Sequence, residues 1–246
     1  MNQYEKFHQL HHQQKPLIIA NAWNARSAQL IEEAGFEAIG TSSGAISSSL
    51  GYADGEKIPF NELLYIVQRI KASIKVPLTV DMERGYTDDL NVLTDNIQKL
   101  IDTGVSGINI EDAQGEEIYL RKLETIKNHL LKTNQQLFIN ARTDAFLQKL
   151  PSPLEITLKR AQLYKDAGAD GLFVTAVPDA GAIEEITRAT ALPVNIVSNP
   201  KLTVEMLTNL GVKRISMAVL LYKATYNQLE RISREVRAEN SFSPLF

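Results

Sequence analysis

The chain contains no cysteine. That absence excludes disulfides, thiolate metal sites and a thiol nucleophile. Long apolar runs are missing as well, and nothing approaches the ~20 residues of a membrane-spanning helix. The first residues, Met1-Asn2-Gln3-Tyr4-Glu5-Lys6-Phe7-His8, lack the apolar core of a signal peptide. The expectation is a cytoplasmic protein with no membrane partner. There is no excess of positive charge: 26 Lys and Arg stand against 29 Asp and Glu, for a net charge of −3. This argues against a broad nucleic-acid-binding face, though not against a local cationic pocket. No GxGxxG follows the first predicted strand, so a dinucleotide site has little support. No linker divides the chain.

What is present is 246 residues, 44% hydrophobic and 22% charged, enough for one large soluble core. Apolar, β-prone segments recur at 17–20, 37–41, 78–81, 107–111, 137–142, 171–174, 194–197 and 214–216. Helix-like segments alternate with them at 25–34, 60–73, 90–102, 119–131, 154–167, 180–187, 203–210 and 220–237. Asn24 is suited to cap the first of these helices. Gly35, Gly104, Gly168 and Gly211 punctuate helix ends before the next strand. Eight alternating units predict parallel βαβ repeats closed into a (β/α)8 TIM barrel, a single domain over 1–246. A polar N-terminal helix is expected over 1–15, and a helical C-terminal segment over 217–246.

Three stretches carry the chemistry: Val80-Asp81-Met82-Glu83-Arg84-Gly85-Tyr86, Gly107-Ile108-Asn109-Ile110-Glu111-Asp112, and Phe138-Ile139-Asn140-Ala141-Arg142-Thr143-Asp144. Each begins as a strand and ends in charge. On a strand, alternate residues share a face. Thr79, Asp81 and Glu83 therefore group together, as do Asn109 with Glu111, and Asn140 with Arg142 and Asp144. A strand buried on both sides should read apolar throughout. Polar groups at alternate positions near successive C-terminal ends need a common polar object. The same ends bring Asn21, Trp23, Thr41, Ser43, Asn195 and Ser216. For any one residue the simpler account is a buried pair, such as Arg142 with Glu111 or Asp144. Four acids against one arginine would cost several kcal/mol per uncompensated ion, and a divalent cation removes that cost. Mg²⁺ prefers oxygen ligands and keeps waters, so one carboxylate can bind directly while others hold those waters.

Other features read more simply. His8, His11 and His12 are expected on an exposed polar helix. Ser47-Ser48-Ser49 is expected as a substrate-facing loop. Trp23 is a pocket wall or a core-capping aromatic. Lys201, Lys213 and Arg214 read as solvated charges at the barrel rim. The last helix carries Val219, Leu220, Leu221, Tyr222, Tyr226, Leu229 and Ile232, more apolar surface than one barrel-facing stripe needs. A homo-oligomer is expected.

Several strings together resemble the isocitrate lyase/phosphoenolpyruvate mutase superfamily. They are Asn21-Ala22-Trp23, Thr41-Ser42-Ser43-Gly44, Leu50-Gly51-Tyr52-Ala53-Asp54-Gly55, Asp81-Met82-Glu83-Arg84-Gly85-Tyr86, Ile110-Glu111-Asp112 and Asn140-Ala141-Arg142-Thr143-Asp144. Gly168-Ala169-Asp170-Gly171-Leu172-Phe173-Val174 and Gly211-Val212-Lys213-Arg214-Ile215-Ser216 extend the match. The resemblance implies a (β/α)8 barrel, often with its eighth helix swapped between subunits of a dimer or tetramer. It implies a Mg²⁺ site, with Mn²⁺ as an alternative, for small 2-oxo acids or their enolates. By that resemblance Asp81 is the direct metal ligand, and Glu83 and Glu111 act through metal-bound water. Ser43 and Gly44 receive the substrate carboxylate, Arg142 faces the substrate oxygens, and Asp54 meets the substrate as in the mutase branch. Trp23 and Asn195 complete the expected substrate-binding set. The lyase loop Lys-Lys-Cys-Gly-His is absent: only Ala113-Gln114-Gly115-Glu116-Glu117 follows Asp112. The mutase gating loop is missing too, and Thr175 stands where lyases carry a glutamate. The expected reaction is therefore C–C or P–C cleavage beside a 2-oxo group, of the oxaloacetate decarboxylase or hydrolase type. Phosphonopyruvate or phosphoenolpyruvate chemistry through Asp54, or non-catalytic binding of a 2-oxo acid, are the alternatives.

Overall fold

Eight parallel strands close on themselves in chain order: β1 (Leu17–Ala22), β2 (Ile39–Thr41), β3 (Leu78–Asp81), β4 (Gly107–Glu111), β5 (Phe138–Thr143), β6 (Gly171–Val174), β7 (Val194–Val197) and β8 (Arg214–Ser216). The computed structural model describes residues 2–246; Met1, where the expected domain and N-terminal helix begin, lies outside the described residues. The ring closes where β1 meets β8, with Ile18 opposite Ile215. The register sets Asp81 opposite Asn109, Glu111 opposite Arg142, and Asn195 opposite Arg214.

Helices α2 (Ala25–Glu33), α4 (Phe60–Lys71), α5 (Leu90–Asp102), α6 (Glu116–Thr133), α7 (Pro153–Asp166), α8 (Ala180–Ala189), α9 (Val204–Asn209) and α10 (Leu220–Glu239) alternate with the strands, as the sequence pattern predicts. Asn24 caps α2 through the Ser27 N–H, and Asp89 caps α5. Among the described residues no helix is long and apolar enough to cross a membrane.

Two further helices depart from expectation. The first, α1 (Gln3–Leu10), is not an exposed polar helix. It turns Phe7, Leu10 and His11 into the N-terminal end of the barrel. There they pack with Leu17, Ile19, Ala38 and Phe138, and His11 stacks on the Phe138 ring at 4.2 Å. Gly107 makes room for this plug: a Cβ there would lie 2.8 Å from the Phe7 ring and 2.9 Å from the Phe138 carbonyl. The second, α3 (Ser43–Ser49), occupies the stretch expected as a loop. Ser42 caps it, and Ala45 and Ile46 bury its inner face.

Arg214 also corrects the sequence reading. It is not a solvated rim charge but a fully buried side chain inside the barrel. Its Nη2 donates to Asn109 Oδ1 at 3.2 Å, and Asn140 Nδ2 donates to the same oxygen at 2.9 Å. The strand residues therefore fill the barrel in layers. An apolar base rests on α1, a polar layer of Asn109, Asn140, Asn195 and Arg214 lies above it, and the acids stand at the C-terminal mouth.

Candidate active site

Asp81 ends β3 and is fixed from the neighbouring strand. Its N–H donates to Thr41 Oγ1 at 2.9 Å. Its Oδ2 accepts from Ser43 Oγ at 2.8 Å and from the Ser43 N–H at 3.3 Å. Oδ1 meets no donor among the described residues. Ser43 thus commits both of its donors, the N–H and the O–H, to Asp81. Gly44 follows it, and a Cβ there would come within 3.1–3.2 Å of the Asp54 carboxylate. Asp54, Ser43, Gly44, Asp81 and Arg142 line one cavity of about 360 Å³ at the barrel mouth.

Glu83 and Glu111 stand behind this wall rather than on it. Glu83 is 5% exposed, with a φ of +44°. Its Oε1 accepts from Tyr86 OH at 3.0 Å, and its carbonyl accepts from the Glu111 N–H at 2.8 Å. Tyr86 is also left-handed, with φ +61°. Non-glycine residues hold this conformation only when their surroundings impose it. Glu56 imposes it here: its carboxylate accepts from the Arg84 and Tyr86 N–H groups at 2.8 Å each and from Arg84 Nη2 at 2.9 Å.

Arg142, on β5, bridges two acids. Its Nη1 lies 2.7 Å from Glu111 Oε2, and its Nε and Nη2 donate to Asp144 at 2.8 and 2.9 Å. Thr175 Oγ1 donates to Asp144 Oδ1 at 2.7 Å. The Asp144 N–H donates to Asp112, whose other oxygen accepts from Arg160 at 2.8 Å and Tyr164 OH at 2.5 Å. Arg142 is therefore held by a buried frame drawn from the C-terminal ends of β4, β5 and β6 and from α7. The simpler account of Arg142, an ion pair with both acids, is realised in the geometry. Three contacts leave two of the five guanidinium N–H groups for a ligand.

The electrostatics of the acids are unusual. Burial is the largest cause pushing Glu83 up to about 7, and the nearby Asp81 adds to it. Burial also lifts Glu111, to about 8; Arg142 opposes this, while Asp81, Asp144 and Glu83 reinforce it. Burial alone would depress the Arg142 guanidinium, but Glu111 and Asp144 raise it further above its ordinary value.

Two expected substrate contacts lie elsewhere. Trp23 packs edge-on against Tyr222, with ring centroids 5.3 Å apart, and lines a separate apolar cavity of about 400 Å³ between α2 and α10. Asn195 is fully buried in the polar layer, where its Oδ1 accepts from Ser216 Oγ at 2.9 Å. Sequence reasoning missed Tyr86, Glu56, Arg160 and Tyr164. The left-handed turn at Glu83–Tyr86 has no local glycine at those two positions to announce it. Tyr222 and Lys223, which also line the mouth cavity, were read only as part of an apolar helix.

Among the described residues, no three His, Asp or Glu side chains converge to enclose a metal by themselves. The donor set still suits a hard cation that keeps several waters. It offers oxygen only: Asp81 lines the cavity with one oxygen that accepts from no donor among the described residues, and Glu83 and Glu111 are close enough to be raised by it.

The family model for phosphoenolpyruvate phosphomutase matches residues 7–237. An uncharacterized protein of Mycobacterium tuberculosis (strain ATCC 25618 / H37Rv) is 36% identical over 89% of this chain and 83% of its own length. The oxaloacetate decarboxylase of Rhodopseudomonas palustris (strain BisB18) is 32% identical over 81% of this chain and 72% of its own. Among solved structures, a phosphonomutase candidate from Burkholderia cenocepacia J2315 superposes with a TM-score of 0.89 at 30% identity. That superposition covers 95% of this chain and 98% of the other.

Proposed function

Since the chain belongs to the phosphoenolpyruvate phosphomutase family, we propose that it is a Mg²⁺-dependent enzyme that cleaves the bond from C3 of a small 2-oxo acid to its distal group, so that the electron pair passes into the 2-oxo group as an enolate. Decarboxylation of an oxaloacetate-like acid is the reaction this site favours. The observation that carries the reading is Asp81, which lines the same cavity as Arg142, Ser43 and Gly44 and whose Oδ1 accepts from no donor among the described residues. Asp81 would hold the ion directly, and Glu83 and Glu111 would hold its waters; Mn²⁺ suits the same oxygens. When bound, Mg²⁺ supplies Lewis-acid stabilisation of negative charge developing on the oxo oxygen. The two remaining Arg142 N–H groups add preorganised donors at that position. The Gly44 N–H would receive the carboxylate end, and Ser43 would join it by turning its donors from Asp81 to the ligand. Loss of CO₂ needs no nucleophile: the C3–C4 electron pair passes to the enolate, which then takes a proton at C3 from solvent. That matches a chain with no cysteine and only three residues, Ala113–Gly115, between Asp112 and α6. The name of the R. palustris relative supports the same chemistry.

Turnover of a small panel of 2-oxo acids tests this. Oxaloacetate decarboxylation that saturates with substrate and stops on adding EDTA is expected. Saturable binding without turnover would favour a 2-oxo-acid binder instead. A second reading has one specific observation behind it: the Asp54 carboxylate lies over Gly44 on the cavity wall. Release of phosphate from phosphonopyruvate, lost in Asp54→Asn, would favour hydrolase or mutase chemistry.

A homo-oligomer joined through α10 belongs to this proposal. Of its 20 residues only Tyr222 is buried, while Leu220, Tyr226 and Leu229 are exposed. The apolar cavity beside it, lined by Trp23, Leu30, Phe36 and Leu221, is left open. An α10 that covers the flank of a neighbouring barrel would bury both.

A further inference from the structure

We propose that Lys122 and Glu56 are positioning residues that clamp the turn carrying Glu83, and so set where that acid meets the water shell of the metal. This rests on the reading of Glu83 as an acid that holds metal-bound water. It adds two residues that act through Glu83 rather than on the substrate.

Lys122 lies in the second turn of α6 and is 2% exposed. Taking an ammonium out of water is costly unless its protons are met. Its one carboxylate partner among the described residues is the exposed Asp88, at 3.4 Å. The two shorter contacts go to neutral oxygens. Nζ donates to the Arg84 carbonyl at 2.7 Å and to Gln114 Oε1 at 2.9 Å. Three N–H groups thus meet three acceptors. Arg84 and Asp88 belong to the segment between β3 and α5, and Gln114 to the short connection between β4 and α6. Gln114 Nε2 completes the set by donating to Asp88 Oδ1 at 2.8 Å. An apolar side chain of similar length would fill the same space without the cost of burying a charge. What the ammonium adds is a fixed place for the Arg84 carbonyl.

That carbonyl is one end of a turn gripped from several elements. The Arg84 and Tyr86 N–H groups donate to Glu56 Oε1 at 2.8 Å each, and Glu56 comes from the segment between α3 and α4. The Glu83 carbonyl accepts from the Glu111 N–H at 2.8 Å. Two successive peptide groups, Glu83–Arg84 and Arg84–Gly85, are therefore held by Glu111, Glu56 and Lys122. Residues on both sides of the Glu56 contact carry a positive φ: +60° at Glu56, +44° at Glu83 and +61° at Tyr86. Such residues keep that conformation only under constraint from their surroundings. Tyr86 OH in turn donates to Glu83 Oε1 at 3.0 Å. A turn released at Arg84 would move the Glu83 carboxylate and its tyrosine donor together.

The test measures Mn²⁺ affinity of the full chain by electron paramagnetic resonance, with no substrate present. Wild type is compared with Lys122→Met, Glu56→Ala and Glu56→Gln. Lys122→Met and Glu56→Ala are each expected to weaken Mn²⁺ binding by about tenfold, the scale for losing an outer hydrogen-bond partner of a metal site. Glu56→Gln keeps an amide oxygen that can accept both backbone N–H groups, and should stay within about threefold of wild type. A folded Lys122→Met chain with a lower urea midpoint but wild-type Mn²⁺ affinity would make Lys122 a brace for the barrel and overturn the proposal. Equal losses in Glu56→Ala and Glu56→Gln would overturn it too, since the charge of Glu56 and not its grip on the turn would then matter. If Lys122→Met does not fold, the contrast between the two Glu56 variants decides. A wild-type chain that binds no Mn²⁺ would overturn the site reading and this inference with it.

Discussion

At the scale of single residues, Glu83 and Glu111 make the site responsive to pH. Both carboxyls are raised from an ordinary value of 4.5, to about 7 and about 8. A raised folded-state pKa favours the protonated form in the fold. Without metal, the stability these groups contribute is fully present below about pH 4.5 and lost as pH rises through 7 to 8. In EDTA, the urea midpoint is expected to fall between pH 6 and pH 9, and the fall should be shallower in Glu111→Gln. Added Mg²⁺ should reduce it by favouring the ionised acids. A midpoint that rises over this window, or a slope unaffected by Glu111→Gln, contradicts the electrostatic account. Arg142 carries a second prediction. Its planar fork spans two oxygens of Asp144 while reaching Glu111, which an ammonium cannot do. Arg142→Lys should lose more than about tenfold in oxalate affinity, and about 1–3 kcal/mol of stability as hydrogen bonds to charged groups are broken. Calorimetry beside denaturant melts separates the two effects. Full oxalate affinity with only the stability loss would leave Arg142 a brace for the barrel. Asp81, Glu111 and Arg142 were legible in the sequence because charge interrupts a strand pattern at alternate positions. Glu56, Arg160 and Tyr164 were not, because their partners come from distant elements and local spacing does not encode them. Arg214 was misread since a cation beside Lys213 looks solvated until strand alternation turns it inward.

At the scale of elements, the repeat of strand and helix was legible because periodicity survives in each unit. The two surprises were short. On α1, only Phe7, Leu10 and the adjoining His11 face the barrel, too narrow a stripe to distinguish from a polar helix. On α3, consecutive serines lower helix propensity, and tertiary burial of Ala45 and Ile46 with the Ser42 cap overrides it. The element with the clearest consequence is α10. A 20-residue helix with one buried side chain gains little from its own barrel. Light scattering at low micromolar concentration is expected to give a mass of two or four chains, well above the 27.4 kDa of one. Removing the chain from Leu220 onward should leave the flank around Leu30 and Phe36 bare and the protein insoluble. A monomer mass for the full chain, or a soluble and folded truncation, would show that α10 serves no neighbour.

At the scale of the whole molecule, the barrel carries a gradient along its axis. The base is closed by Phe7 and Phe138, the middle layer is amide and guanidinium, and the mouth is acid. When all are ionised, the four acids Asp81, Glu83, Glu111 and Asp144 face the two arginines Arg142 and Arg214, which leaves two negative charges, the complement of one divalent cation. The sequence reading lacked one of those two arginines and still inferred the same ion, because the acids outnumbered the cations either way. In the proposed reaction Asp81 is the residue that lets this charge act on a 2-oxo acid. The most direct measurement is the rate of oxaloacetate decarboxylation with Mg²⁺ by the wild-type chain and by Asp81→Ala, with matching circular dichroism to establish that both are folded. The wild-type chain should show a saturable rate that EDTA removes, and Asp81→Ala should fall by at least about a hundredfold, a loss of roughly 2.7 kcal/mol in the barrier. A folded Asp81→Ala chain that decarboxylates oxaloacetate at the wild-type rate would contradict the account.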